Sequence, residues 1–319
     1  MTFALTVLGS SSSLPTSTRF TTAHVLNVYE RVFLIDCGEG TQIQLRKFKI
    51  PFSKIDHIFI SHPHGDHIFG LVGLISSYNL LGRIKPLYIY GSADLEKIIK
   101  LQLNYFADKL NFEIIFKIIS NKKSQRIYED NHLTVDTIPL KHRIPTSGFL
   151  FKEKKRLPNI KKECIEKYDI PFKNIPGIKQ GDNFITKNGE KILNKNLIIP
   201  SPETRSYAFC SDTAYSEKIV PIIENIDLLY HETTFMHNML EYAIETKHST
   251  TIQAATIAKM ANVKNLMIGH YSARYKNIDK LLKEASSVFE RTFAAEDGLK
   301  IEIDTKKKLK ITSLTPIMQ

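Results

Sequence analysis

Residues 61–67 read Ser-His-Pro-His-Gly-Asp-His and place three imidazoles and a carboxylate, at His62, His64, Asp66 and His67, within six positions. Zinc and similar divalent ions take nitrogen and carboxylate-oxygen ligands at about 2.0–2.2 Å, so such ligands must crowd together. Pro63 and Gly65 allow the tight turns that crowding requires. A run of this kind can also divide its ligands between two adjacent ions. With only 11 histidines in 319 residues, three in this short segment are poorly explained as incidental members of a polar loop.

The segment is preceded by a buried-strand pattern at residues 55–60 and followed by an apolar helical stretch over 68–81. Residues 26–36 read as a hairpin turning at Tyr29-Glu30-Arg31, with the β-rich run Val32-Phe33-Leu34-Ile35 ended by Asp36-Cys37-Gly38. Residues 87–90 and 93–103 repeat strand and helix. Further on, 206–210, 227–230 and 265–268 read as short strands ending near Asp212, His231 and His270. Polar side chains at strand ends are where α/β proteins keep their chemistry. The strand, polar residue, helix order recurs in both halves and suggests two similar sheet layers packed face to face with helices outside.

At 42% hydrophobic and 24% charged, the composition is that of an ordinary globular chain. Its formal charge of +11 suggests an anionic partner such as nucleic acid. The excess is uneven: residues 1–150 hold 17 basic and 12 acidic side chains, 151–200 hold 12 and 6, and 201–319 hold 15 and 15. The middle segment therefore reads as a basic, loop-rich insertion punctuated by Pro158, Pro171, Pro176, Gly177, Gly181 and Gly189. Three cysteines without a Cys-x-x-Cys pair support neither a disulfide framework nor a thiolate zinc knuckle, and they fit a reducing cytoplasm. The N-terminal residues read as a first strand and turn instead of a signal peptide. No stretch approaches the roughly 20 apolar residues needed to span a bilayer.

His62, His64, Asp66 and His67 match the His-x-His-x-Asp-His signature, and the sequence resembles the metallo-β-lactamase superfamily. That resemblance implies a four-layer αββα sandwich with a metal site at one edge, here one catalytic domain formed by 1–150 and 201–319 around the arm at 151–200. The finer resemblance is to the ribonuclease Z family in its short bacterial form, whose members mature tRNA 3′ ends. It is carried by Asp36-Cys37-Gly38-Glu39-Gly40-Thr41-Gln42, His231-Glu232-Thr233-Thr234-Phe235, His248-Ser249-Thr250 and Gly269-His270-Tyr271-Ser272-Ala273-Arg274-Tyr275, which span nearly the whole chain.

The resemblance implies two Zn2+ per subunit, one held by His62, His64 and His142, the other by Asp66, His67 and His270, with Asp212 bridging both. It implies attack of a metal-bridging hydroxide on a precursor tRNA phosphodiester, leaving a 3′-hydroxyl on the tRNA and a 5′-phosphate on the trailer. Asp66 is then the proton-transfer residue, with His248 as its partner near the leaving group. Thr250 and Gln253 also make a capping box for a helix at 251–261, which His248 precedes. Arg274 has the planar fork to grip a phosphate, with a surface salt bridge as the alternative. Arg143, Thr146 and Ser147 are similar candidates. His231, Glu232 and Asp36 are candidates to orient metal ligands, and Cys37 and Cys210 read as small core residues.

The family's flexible arm, which clasps the tRNA elbow, corresponds to the basic insertion, although the Gly-Pro-rich tip is replaced by 174–181, Asn-Ile-Pro-Gly-Ile-Lys-Gln-Gly. Lysines there would gain affinity by neutralising phosphates without reading bases. The family is homodimeric, so a homodimer is implied. The expected function is thus a cytoplasmic zinc endoribonuclease acting on precursor tRNA. The competing readings are a small-molecule phosphodiesterase or other metallohydrolase of the same fold, which leaves the basic insertion idle, and a non-catalytic RNA-binding protein, against which the complete ligand set argues.

Overall fold

Val32-Phe33-Leu34-Ile35 is apolar at every position because both of its faces are covered. Phe33 and Ile35 enter one core, while Val32 and Leu34 enter another. The computed structural model describes residues 2–106 and 109–315. Its first half runs β1 (Phe3–Gly9), β2 (Ala23–Val28), β3 (Arg31–Ile35), α1 (Thr41–Lys47), β4 (Ile55–Phe59), α2 (Gly65–Leu80), β5 (Leu87–Gly91), α3 (Ala93–Phe106) and β6 (Ile114–Ile118). Next come β7 (Arg126–Glu129), β8 (Leu133–Leu140) and β9 (Thr146–Glu153).

A small unit, Glu153–Thr204, follows with β10 (Asn159–Ile160), α4 (Lys162–Lys167), α5 (Ile175–Gln180), β11 (Phe184–Ile185), β12 (Lys191–Ile192), α6 (Asn194–Leu197) and β13 (Ile198–Ile199). The chain then returns through β14 (Ser206–Cys210), β15 (Leu228–Glu232), α7 (Leu240–Thr246), α8 (Thr251–Met260), β16 (Leu266–Gly269), α9 (Asp279–Ser286), β17 (Thr292–Ala294), β18 (Leu299–Ile303) and β19 (Leu309–Ser313).

The larger unit, Met1–Lys152 with Arg205–Gln319, holds two sheets. One has the order β19-β18-β1-β2-β3-β4-β5-β6, the other β17-β16-β15-β14-β9-β8-β7. Their inner faces meet in an aromatic-rich core containing Phe33, Phe59, Phe149, Phe151, Tyr207, Phe209 and Tyr230. Outside the first sheet, Leu45, Leu71, Leu74, Ile75 and Leu95 from α1, α2 and α3 cover Leu34, Ile58 and Ile89. Outside the second, Ala255, Ile257, Ala258 and Leu281 from α8 and α9 cover Ala208, Cys210 and Ile268. The result is the expected four-layer αββα sandwich. In each sheet the strands next to the site are parallel, β3 with β4 and β5, and β14 with β15 and β16. Parallel strands covered on both faces read as continuous apolar runs, which is why the sequence showed them so clearly.

The smaller unit, expected to be loop-rich, combines irregular stretches with short elements and a core of its own. Ile160, Cys164, Ile170, Ile178, Phe184, Ile192 and Leu197 form a buried cluster of their own. Pro176 sits in the first turn of α5, and Gly181, at φ 120°, follows its end. Residues that read as breakers therefore start and stop short elements. Among the described residues no helix is long and apolar enough to cross a membrane.

Candidate metal centre

Five chain segments deliver their polar residues at the C-terminal ends of parallel strands or in an adjoining loop: Asp36 after β3, His62 and His64 after β4, Asp212 after β14, Glu232 at the end of β15 and His270 after β16. His142 comes from the turn between β8 and β9. Asp36, Asp212 and His270 adopt positive φ, at 55°, 47° and 60°. Asp and His accept this region more readily than most residues, and the sharp departure from the strand aims the side chain across the sheet edge.

His64 is the residue before α2, and Asp66 and His67 lie in that helix's first turn, where a carboxylate is favoured by the helix dipole. The turn is pinned to the loop after β3. The Cys37 N–H donates to the His67 carbonyl at 2.8 Å, and the Gly70 N–H donates to the Cys37 carbonyl at 2.9 Å. A Cβ on Gly38 would lie 2.4 Å from the Asp66 carbonyl oxygen, and one on Gly70 would lie 2.2 Å from that of Gly38. Glycine is required at both positions for this close approach.

Seven side chains converge as two overlapping groups, His62, His64, His142 and Asp212 in one, Asp66, His67, Asp212 and His270 in the other. In the first, His62 Nε2 is 2.9 Å from His64 Nδ1, His142 Nε2 is 3.3 Å from His64 Nδ1, and Asp212 Oδ2 is 3.5 Å from His62 Nε2 and 3.7 Å from His142 Nε2. In the second, Asp66 Oδ2 lies 3.3 Å from both His67 Nε2 and His270 Nε2, while Asp212 Oδ1 lies 3.2 Å from His67 Nε2 and 2.9 Å from His270 Nε2. Asp212 offers one oxygen to each group. Tetrahedral ligands about 2.0–2.1 Å from a metal are separated from one another by about 3.3 Å, and the observed separations cluster around that edge. His67 Nε2 is buried and makes no hydrogen bond despite those two short contacts, the geometry of atoms that face a common point and not each other.

Electrostatics agree with that fit. Burial disfavours the His67 imidazolium, but Asp66, Asp212 and Asp36 outweigh it and raise its pKa well above the usual histidine value. Burial likewise opposes protonation of His270, yet Asp212 and Asp66 push its pKa up to about 10. Asp212 is buried, which raises its pKa, and His270, His67 and His62 reverse that to hold it well below the carboxylate range. His62, by contrast, is driven down by burial. A buried pair of carboxylates that recruits protons onto histidines also favours a divalent cation in their place.

Behind the convergent atoms, the ring nitrogens that point away are held on four of the five histidines. His67 Nδ1 donates to Asp36 Oδ2 at 2.7 Å. His62 Nδ1 meets Ser61 Oγ at 3.0 Å, and that hydroxyl donates to Asp36 Oδ2 at 2.9 Å. His142 Nδ1 donates to the Lys247 carbonyl at 2.9 Å. His270 Nδ1 meets Thr234 Oγ1 at 3.0 Å, which donates to Glu232 Oε2 at 2.7 Å. Such contacts fix the tautomer and ring orientation that a metal ligand needs. Ser61, Thr234 and the Lys247 carbonyl went unnoticed in the sequence. Ser61 and Thr234 adjoin recognised motifs and were visible by position, whereas a backbone carbonyl 105 residues from His142 leaves no sequence signal.

His248 stands beside both groups, its ring centroid 5.0 Å from that of His142 and 5.6 Å from that of His270. Its Nδ1 donates to Glu232 Oε1 at 2.9 Å. Burial lowers its pKa, but the Glu232 carboxylate and that hydrogen bond more than compensate and raise it. Glu232, His248 and His270 also cluster closely, but their facing atoms are already joined by hydrogen bonds, partly through Thr234. The capping box of Thr250 and Gln253 is formed, so His248 both precedes a well-started helix and faces the centre.

The other sequence candidates join neither group of convergent atoms. His231 Nδ1 meets the Glu232 carbonyl at 2.8 Å, and no described contact joins its ring to a ligand. Thr146 and Ser147 are buried in β9; the Thr146 hydroxyl donates to the Ile144 carbonyl, and the Ser147 N–H donates to that of Ser61. Arg143 Nε donates to the Thr246 carbonyl at 3.3 Å. Arg274 forms no salt bridge among the described residues, and its guanidinium carbon lies over the Phe235 and Tyr242 rings. Cys37 and Cys210 are fully buried, and burial pushes the Cys37 thiol up to about 12.

Two stacked sheets with a histidine and aspartate centre at their strand ends define a protein of the metallo-β-lactamase fold, and the metallo-β-lactamase fold protein YhfI from Bacillus subtilis superposes with a TM-score of 0.67 at 20% identity, over 95% of this chain and 100% of that one. The ribonuclease Z of Phocaeicola vulgatus is 46% identical over 305 residues, 96% of this chain and 99% of the relative. Human tRNase Z, short form, superposes with a TM-score of 0.68 at 26% identity, covering 94% of this chain and 99% of its own. The chain belongs to the ribonuclease Z family of endoribonucleases. Residues 3–158 also match the family described as anti-Pycsar protein Apyc1. That match includes His62, His64, Asp66, His67 and His142 but stops before Asp212, His248 and His270.

Proposed function

We propose that this chain is a cytoplasmic, zinc-dependent endoribonuclease that removes the 3′ trailer from precursor tRNA, leaving a 3′-hydroxyl on the tRNA and a 5′-phosphate on the trailer. The observation that carries the chemistry is the shared Asp212, one oxygen in each of two four-residue groups. The substrate is supported by the family and by the 12 basic against 6 acidic side chains of residues 151–200. In this reading His62, His64 and His142 would hold one zinc, Asp66, His67 and His270 would hold a second, and Asp212 would offer one oxygen to each.

Two such ions would supply an acidified water and neutralise charge on the phosphate. The protein's own contribution is orientation and proton transfer. Asp36, Ser61, Lys247 and Thr234 hold the ligand rings. Asp66, with its side chain 9% exposed, is the proton acceptor. His248, its Nδ1 committed to Glu232, has Nε2 for delivering a proton to the departing 3′ oxygen. A homodimer, in which one subunit's arm serves the other's centre, completes the proposal.

His64→Ala tests the ligand assignment. It removes the nitrogen that lies between His62 and His142. Cleavage is expected to be abolished while most tRNA affinity remains, because phosphate contacts elsewhere supply it. Turnover at the unmodified enzyme's rate overturns the assignment.

A further inference from the structure

Arg274 occupies a position at the border of the centre that the proposed chemistry leaves unused. It is exposed, four residues beyond His270, and it meets no carboxylate among the described residues. Arg31, Arg83 and Arg126 are, in contrast, paired with Asp130, Asp56 and Asp136. What holds Arg274 is uncharged. Its guanidinium carbon lies 5.0 Å from the Phe235 ring centroid and 5.3 Å from that of Tyr242, its Nε donates to Ser272 Oγ at 3.0 Å, and its Nη1 contacts Met239 Sδ at 2.8 Å. Phe235 in turn packs edge-on against His248, centroid to centroid 6.1 Å, and against Tyr242 at 5.2 Å.

A guanidinium held over aromatic rings still has N–H groups for hydrogen bonding, and a planar fork fits two phosphate oxygens. Nη2 makes no hydrogen bond among the described residues, so part of that fork is open. The side chain is also ordered in advance by its aromatic and sulfur contacts, which lowers the entropy lost on binding. Its charge remains unneutralised, one aromatic ring away from His248. Tyr242, 42% exposed, adds a ring at the same place.

We propose that Arg274, backed by Phe235 and Tyr242, is a specificity-determining subsite that binds a backbone phosphate of the RNA strand adjoining the one that is cut. This rests on the endoribonuclease reading, since a small phosphodiester has no neighbouring phosphate to offer. The chemistry is that of a single-strand groove, where a cation tracks the backbone beside aromatic side chains. Arg274→Lys keeps the charge but loses the planar fork and serves as the graded variant.

The test compares the unmodified protein, Arg274→Ala and Arg274→Lys on a precursor tRNA and on bis(p-nitrophenyl) phosphate, with kcat and KM separated and the precursor series repeated over a range of salt. A charge-assisted contact of ordinary strength predicts a 10-fold or greater rise in KM for the precursor with Arg274→Ala. The loss on the precursor should exceed that on the small diester by at least 10-fold, Arg274→Lys should fall between, and the logarithmic salt slope should flatten by about 0.7, one single-strand phosphate contact. Equal losses on both substrates would make Arg274 a support for Phe235 and His248 and overturn the subsite. An unchanged precursor KM would also overturn it. Failure of the unmodified protein on the precursor, with activity on the diester retained, is the separate result that defeats the endoribonuclease reading.

Discussion

Asp36→Asn should weaken one metal position more than the other. Asp36 is fully buried and accepts three hydrogen bonds, from the Ser61 N–H at 2.7 Å, the Ser61 hydroxyl at 2.9 Å and His67 Nδ1 at 2.7 Å. It keeps a proton on His67 Nδ1, which leaves Nε2 as the nitrogen available to a metal. Asparagine keeps the shape but replaces one acceptor oxygen by an NH2 group, which must face either the Ser61 N–H or the His67 and Ser61 donors. Loss of a ligand's supporting partner typically lowers metal affinity by about 10–100-fold, or about 1.4–2.7 kcal/mol. A buried donor left facing a donor costs about 1–3 kcal/mol of fold stability besides. The affinity loss should be greatest for the ion on His67, because Asp36 reaches His62 only through the Ser61 hydroxyl. Competition titration of apo-protein against a zinc chelator, resolved into two binding steps, reads this directly, and circular dichroism confirms that the variant is folded. Two affinities within twofold of the unmodified protein, in a folded variant, would refute the reasoning.

His248→Ala should lower kcat by about 100- to 10,000-fold, the range for a lost general acid or base, while metal analysis still finds the unmodified stoichiometry; loss of bound metal would instead make His248 a ligand. Asp297 behaves differently because its role is in stability. Burial pushes its carboxyl up to about 6, against the hydrogen bonds it receives from the Phe20 N–H and Ser10 hydroxyl. A raised carboxyl pKa means that the fold binds this proton more tightly than the unfolded chain does. The associated stability is complete below the unfolded value of about 3.9 and is lost as pH rises through 6, a difference of roughly 2–3 kcal/mol. Urea unfolding of the unmodified protein and Asp297→Asn at pH 4, 5, 6 and 7 should show their difference changing within that window and flat above it; a pH-independent difference contradicts the shift.

The convergent cluster was legible because most of its side chains are rare residue types placed directly after continuous apolar runs. Those runs exist because β3, β4, β14, β15 and β16 are parallel strands covered on both faces. His62, His64, Asp66 and His67 could be read from spacing alone, whereas His142, Asp212 and His270 needed the family pattern, since each is isolated in sequence. The supports were harder to find. Ser61 is a common residue type, and the Lys247 carbonyl carries no side-chain signal. Arg274 stands out in sequence, but the aromatic rings it lies over, Phe235 and Tyr242, come from segments its own motif does not contain. The short elements within the basic segment are hard to read because they are only two to six residues long, too short to show periodicity.

The most direct measurement of the central claim is end mapping of a precursor tRNA bearing a 3′ trailer, incubated with the zinc-loaded protein, the chelated protein and the chelated protein given zinc again. The account predicts a single cut after the acceptor stem, a 3′-hydroxyl on the tRNA and a 5′-phosphate on the trailer, abolished by chelation and restored by zinc. Cleavage indifferent to the chelator, a cyclic phosphate at the new 3′ end, or an intact precursor with zinc present would contradict it.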